Sequence, residues 1–139
     1  MPTDSKVENG FESSVMRVLL IEDDAPVRRI VRKMLERERH EVTEAENGRV
    51  GLDRLRESAF DLVLTDIVMP EMDGLETLIE LRKDYPDLKV IAMSGGGRTG
   101  NMDFLGSAEK LGASAVLSKP FTIDVLATAI ARAGVTARI

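Results

Sequence analysis

Five residues with chemical potential stand at comparable places in the chain. Glu22 and Asp23 follow the apolar run MRVLLI, Asp66 follows LVLT, Ser94 follows LKVIAM, and Lys119 comes just after AVL. Carboxylates brought close together repel and raise one another's pKa. A hard divalent cation removes that repulsion, and oxygen donors without Cys or His suit Mg²⁺, which keeps several of its waters. Asp66 can then act as a nucleophile toward a phosphoryl group, because carboxylates form aspartyl phosphates. The cation bridges acceptor and donor oxygens, while the Lys119 ammonium and the Ser94 hydroxyl contact the phosphoryl oxygens. Each residue taken singly has a plainer role, Ser94 in a turn and Lys119 as a solvated charge. Random surface decoration would scatter the five rather than set each at the end of an apolar run.

The elements that must position them follow from the pattern of apolar residues. Residues 16–21 read as a strand, and Pro26 suits the first turn of a helix with Asp24 as its N-cap. Val27, Ile30, Val31, Met34 and Leu35 then recur at helical spacing as a core stripe. The opposite face carries Arg28, Arg29, Arg32, Lys33 and Arg37, either a solvated face or a docking surface for an acidic partner. Residues 41–45 form a second strand, and Asn47-Gly48 turns into a second helix with Gly51, Leu52 and Leu55 inward. In LVLTDIVMPEMDG, residues 62–74, the branched aliphatics describe a strand buried on both faces, and Met-Pro and Asp-Gly end it. A third helix over 74–84 carries Leu75, Leu78 and Ile79 inward and stops at Tyr85-Pro86. A strand over 88–93, a helix over 102–111, a strand over 115–117 and a helix over 121–133 complete the chain. The last helix turns Leu126, Ala129, Ile130 and Ala133 inward.

Strand and helix therefore alternate five times with short links. That order calls for an α/β domain, a doubly wound parallel sheet with right-handed crossovers and helices on both faces. Ligands of such sheets sit outside the carboxyl ends of the strands, where the five residues fall. The chain has 139 residues, 43% of them hydrophobic and 31% charged, with no cysteine, so disulfides and thiolate zinc sites are excluded. No stretch is long and apolar enough for a membrane span. The polar start, residues 1–14, lacks the apolar core of a secretory signal and reads as a disordered tail. Net charge −5 argues against a general nucleic-acid surface. A cytoplasmic location is expected.

LLIEDD, LVLTDIVMPEMDG, VIAMSG and LSKPF, in this order and spacing, resemble the receiver domains of two-component response regulators. The resemblance covers residues 16–133. It implies a flavodoxin-like sheet in the order 2-1-3-4-5, with Asp66 as the phosphorylation site and a histidine kinase or histidine phosphotransfer protein as donor. It further implies Asp23 as a direct Mg²⁺ ligand, Glu22 as one acting through water, and the backbone carbonyl of Val68 as a third protein ligand. Lys119 matches the family's lysine, before a Pro120 whose peptide bond is cis in the family, and Ser94 takes the hydroxyl switch position. The chain departs from the family pattern at Val116, where an aromatic switch residue often stands. It also has a longer, glycine-rich link, SGGGRTGNMDF, expected to be mobile. That link contains G-x-x-x-x-G, but Asn101-Met102 follows where a P-loop needs Lys and Ser or Thr.

The expected organisation is a tail over 1–14 and a receiver domain over 15–135 without an output domain, a stand-alone regulator. It would catalyse only its own phosphorylation and dephosphorylation, and would signal through altered protein contacts. A haloacid-dehalogenase-like phosphatase would need a second acid where Val68 stands. A nucleotide- or flavin-binding domain would meet repulsion from Glu22, Asp23 and Asp24. A degenerate receiver, acting as a constitutive protein-binding module, would have no use for the complete set of acids, hydroxyl and lysine.

Overall fold

A computed structural model describes residues 15–67, 74–95 and 108–134. The elements are β1 (Arg17–Ile21), α1 (Ala25–Arg37), β2 (Glu41–Ala45), α2 (Gly48–Glu57), β3 (Leu62–Asp66), α3 (Gly74–Asp84), β4 (Lys89–Ser94), β5 (Ala115–Ser118) and, last, α4 (Ile123–Arg132). The chain is also helical at 108–110, the end of the helix expected over 102–111. Residues 102–107 of the expected span lie outside the described residues, as do the tail over 1–14 and most of the glycine-rich link. All strands pair in parallel, in the order β2-β1-β3-β4-β5.

The alternation of side chains along the strands builds two cores. Val18 and Leu20 of β1, Leu62 and Leu64 of β3, and Ile91 and Met93 of β4 meet Val31 and Leu35 of α1 and Leu126 and Ile130 of α4. Leu19, Ile21, Val63, Val90 and Ala92 point the other way, against Leu55 of α2 and Leu78 and Leu81 of α3. A sheet covered on both faces needs strands apolar at every position, and β3 is buried throughout. Among the described residues, no helix is long and apolar enough to cross a membrane.

Two members of the expected core stripes are corrected. Ile30 is 55% exposed and Ile79 is 48% exposed. A helix buries only the arc that meets its sheet. On α1 that arc centres on Val31 and Leu35, which leaves Ile30 at the rim of a shallow groove shared with Pro120 and Phe121. On α3 it centres on Leu78 and Leu81. Strand limits also moved slightly, and Ser94 belongs to β4 rather than to the turn after it.

Close packing of α2 sets the position of the β1 end. A Cβ on Gly51 would stand 2.4 Å from Ile21 Cδ1 and 2.9 Å from its Cγ1. Ile21 is fully buried, so its end has little room to swing away. Overpacking of this kind costs about 1–3 kcal/mol, against a gain of up to about 1 kcal/mol in helix propensity. Gly51→Ala is therefore expected to destabilise the protein in urea unfolding. A stabilised variant would show that α2 can lift away from Ile21.

Candidate functional site

Register brings the acids together. Leu20 pairs with Leu64 and Ile21 with Thr65, so the next step along both strands sets Glu22 beside Asp66. Both residues are buried, Glu22 at 0% and Asp66 at 4% exposure. Three hydrogen bonds fix the turn after β1. The Glu22 N–H donates to the Ala45 carbonyl at 3.0 Å, the Asp24 N–H donates to Glu22 Oε2 at 3.1 Å, and Arg28 Nη1 donates to the Glu22 carbonyl at 2.6 Å. Asp24 caps α1, its Oδ1 accepting from the Val27 N–H at 3.1 Å, as its position before Pro26 predicts. Asp23, between them, faces solvent.

Lys119 arrives from the other side of the sheet. β5 ends in register with β4, Ser118 opposite Ser94, and the Lys119 N–H donates to the Ser94 carbonyl at 2.7 Å. The Lys119–Pro120 peptide is cis. From there Lys119 Nζ reaches Glu22 Oε1 at 2.8 Å and Asp66 Oδ2 at 3.1 Å. Ser94 is fully buried at the end of β4.

The charges do not balance within this triad, since one ammonium faces two carboxylates. Burial pushes the Glu22 carboxyl up to about 7, the Lys119 hydrogen bond pulls it down, and the negative charge of Asp66 pushes it up again. Burial alone would lower the Lys119 pKa, but its contacts with Glu22 and Asp66 outweigh that and raise it. Lys119 therefore stays cationic, while Glu22 exchanges its proton near neutrality and is driven to the ionised form by added positive charge. Asp23 brings a third carboxylate, and one oxygen from each of Glu22, Asp23 and Asp66 lies within 4.8 Å of the others. Three hard oxygen donors with a solvent-facing side fit a magnesium-type cation.

Glu22, Asp23, Asp66 and Lys119 thus meet at one place, and Ser94 ends the neighbouring strand. Val68 lies outside the described residues, so its carbonyl is not among the placed ligands. Two features escaped the sequence reading. One is that Lys119 ties Glu22 to Asp66, across a separation of 97 residues from Glu22. The other is Arg28, whose guanidinium turns back onto the β1 end rather than standing on a solvated face. The spacing of Arg28 and Arg32, one helical turn apart and opposite the acidic end of β2, was the available signal.

The fold and site define a known class of protein. The chain belongs to the response regulator receiver domain family, whose model matches residues 18–131. It is 47% identical over 79 residues to the response regulator receiver protein CpdR of Brucella abortus, covering 57% of this chain and 66% of that one. It is 34% identical over 120 residues to the chemotaxis protein CheY of Listeria monocytogenes, covering 86% of this chain and 98% of that one. Among solved structures it resembles the response regulator TrrA of Thermotoga maritima in complex with Mg²⁺-BeF, with TM-score 0.72, 28% identity and coverage of 84% of this chain and 97% of that one. The chain spans only 13% and 26% of two longer relatives, a sensor kinase and a transcriptional regulator.

Proposed function

We propose that this domain accepts a phosphoryl group on Asp66 from a histidine kinase or histidine phosphotransfer protein, with Mg²⁺ bound, and signals by altered protein contacts. The observation that carries the reading is the Lys119 ammonium on Asp66 Oδ2, beside an acid cluster open to solvent at Asp23. Asp23, Asp66 and the Val68 carbonyl would hold the cation, with Glu22 acting through water. When bound, the cation offsets the charge of the acids and of the phosphoryl oxygens.

The chain's own residues do the rest. Asp66 is mounted on a rigid, fully buried strand, which holds its carboxylate at the sheet edge for in-line attack on phosphorus. The P–O bond to Asp66 forms as the P–N bond of the donor phosphohistidine breaks, and the imidazole leaves. Lys119 supplies a fixed positive charge at the oxygen where negative charge builds, and the Ser94 hydroxyl contacts the transferred group.

Intact-mass spectrometry after incubation with acetyl phosphate and Mg²⁺ tests this. One phosphoryl group should be gained, none when the metal is chelated, and none by Asp66→Asn. Labelling that persists in Asp66→Asn would move the acceptor elsewhere.

A further inference from the structure

Asp23 is the exposed member of the acid cluster, and among the described residues its side chain has no hydrogen bond or ion pair to hold it. Its placement depends on the backbone that carries it, above all on the peptide group joining Glu22 to Asp23. The carbonyl of that peptide accepts from Arg28 Nη1 at 2.6 Å. Arg28 is itself held, since its Nε donates to Glu44 Oε1 at 2.8 Å. Glu44 Oε2 accepts from Arg32 Nη1 at 2.5 Å, and Arg32 Nε donates to Glu36 Oε2 at 2.8 Å.

This chain of contacts begins on the solvent side of α1, crosses to β2 and ends on the metal-binding turn. Arg28 and Arg32 lie one helical turn apart, so their guanidinium groups reach the two oxygens of one carboxylate. Glu44 neighbours Ala45, whose carbonyl accepts from the Glu22 N–H, so the end of β2 braces the turn on both sides of Glu22. The Arg28 side chain is 18% exposed, and a charge that far from water is kept there by partners. The Glu44 carboxyl sits below the usual carboxylate range, chiefly through its hydrogen bond from Arg32 and also through that from Arg28. Two cations and two anions cancel along the chain, so its effect on the turn is geometric.

We propose that Arg28, oriented by Glu44, is a positioning residue for the metal site, fixing the Glu22–Asp23 peptide so that the Asp23 carboxylate stands ready for Mg²⁺. Without it the Glu22–Asp23 peptide would lose the brace on its carbonyl while the flanking hydrogen bonds remain, and binding would have to include the ordering of Asp23. The inference rests on the Mg²⁺ reading above and adds a residue to it that does not touch the cation.

Mg²⁺ titration followed through backbone amide resonances tests it. Arg28→Ala should weaken Mg²⁺ affinity about tenfold, as loss of an outer-shell support does, and should displace the Asp23 amide resonance in the metal-free protein. Arg32→Ala loses a contact to the same Glu44 and a comparable share of the α1–β2 link, yet leaves Arg28 on the Glu22 carbonyl. Its Mg²⁺ affinity should stay near that of the unaltered protein, even where the two variants lose similar thermal stability. Arg28→Lys keeps the charge and the apolar stem, and so folds even if the alanine variant does not. Its single ammonium cannot fork between carboxylate and carbonyl, so it should not rescue affinity. Unchanged affinity in Arg28→Lys, or equal losses in Arg28→Ala and Arg32→Ala, would overturn the positioning role while leaving the site intact. An unaltered protein that binds no Mg²⁺ and takes no phosphoryl group would instead overturn the site reading, and the positioning role with it.

Discussion

Lys119→Met is expected to slow phosphoryl uptake at Asp66 about 100-fold, the order of loss seen when one preorganised donor is removed from a site of developing charge. Met matches the length and apolar stem of Lys, so β5 and the turn before Pro120 should keep their packing, and the change isolates the ammonium. That group makes two contacts, at 2.8 Å to Glu22 and 3.1 Å to Asp66. Its removal leaves the two carboxylates facing each other without the ammonium that offsets them among the described residues, which disfavours a third negative group arriving as phosphate. Lys119→Arg separates charge from fit. Its guanidinium is planar and larger than the ammonium and cannot take the same point between two carboxylates, so it should restore the rate only in part. Initial rates with acetyl phosphate at saturating Mg²⁺, beside thermal melts of each variant, measure this. A Met variant that is folded and takes phosphate at the original rate would remove Lys119 from the machinery.

What the sequence disclosed follows from which constraints are local. The run Leu62-Val63-Leu64 can satisfy its side chains only if covered on both faces, and Asp66 at its end is then a polar group at the edge of a buried strand. Asp66 is thus legible as a candidate phosphoacceptor from its strand alone. The alternation of elements pointed to the parallel sheet, but strands apolar at every position left its register open. Helix orientation was less legible, because α1 offers more apolar residues than its buried arc can use, and Ile30 and Ile79 satisfy the helical spacing while standing in solvent. The gathering of the strand ends was legible, but the individual contacts made there were not. Nothing near Lys119 in the chain announces Glu22, and Arg28 was one of five cations on a helix face until β2 gave it Glu44. Such contacts depend on where separate elements end in space, and composition and periodicity say nothing of that.

Glu22→Gln is expected to remove a fall in stability toward neutral pH that the metal-free protein shows. The folded Glu22 carboxyl is raised from its ordinary 4.5 to about 7, mainly by burial and further by the charge of Asp66, against the pull of Lys119. A raised pKa means that the folded form holds a proton which the unfolded chain has already released. The stabilisation is therefore complete below pH 4.5, declines as pH rises, and is gone above about 7. At roughly 1.4 kcal/mol per unit, the decline across that window is on the order of 3 kcal/mol. Gln carries no titrating proton and should lack this decline. It mimics the protonated carboxyl, keeping an oxygen for Lys119, and forgoes the acceptor for the Asp24 N–H only relative to the ionised form, a cost of about 1 kcal/mol. The two stability curves should run together near the acid end of the window and separate toward its alkaline end, with the variant ahead there. Urea unfolding with chelator present, repeated across the window, measures both. Added Mg²⁺ favours the ionised carboxylate, so the affinity of the native protein for the cation should climb through the same window while that of the variant climbs less. Parallel stability profiles for the two proteins would show that Glu22 is already ionised in the metal-free protein and that its carboxyl is not raised.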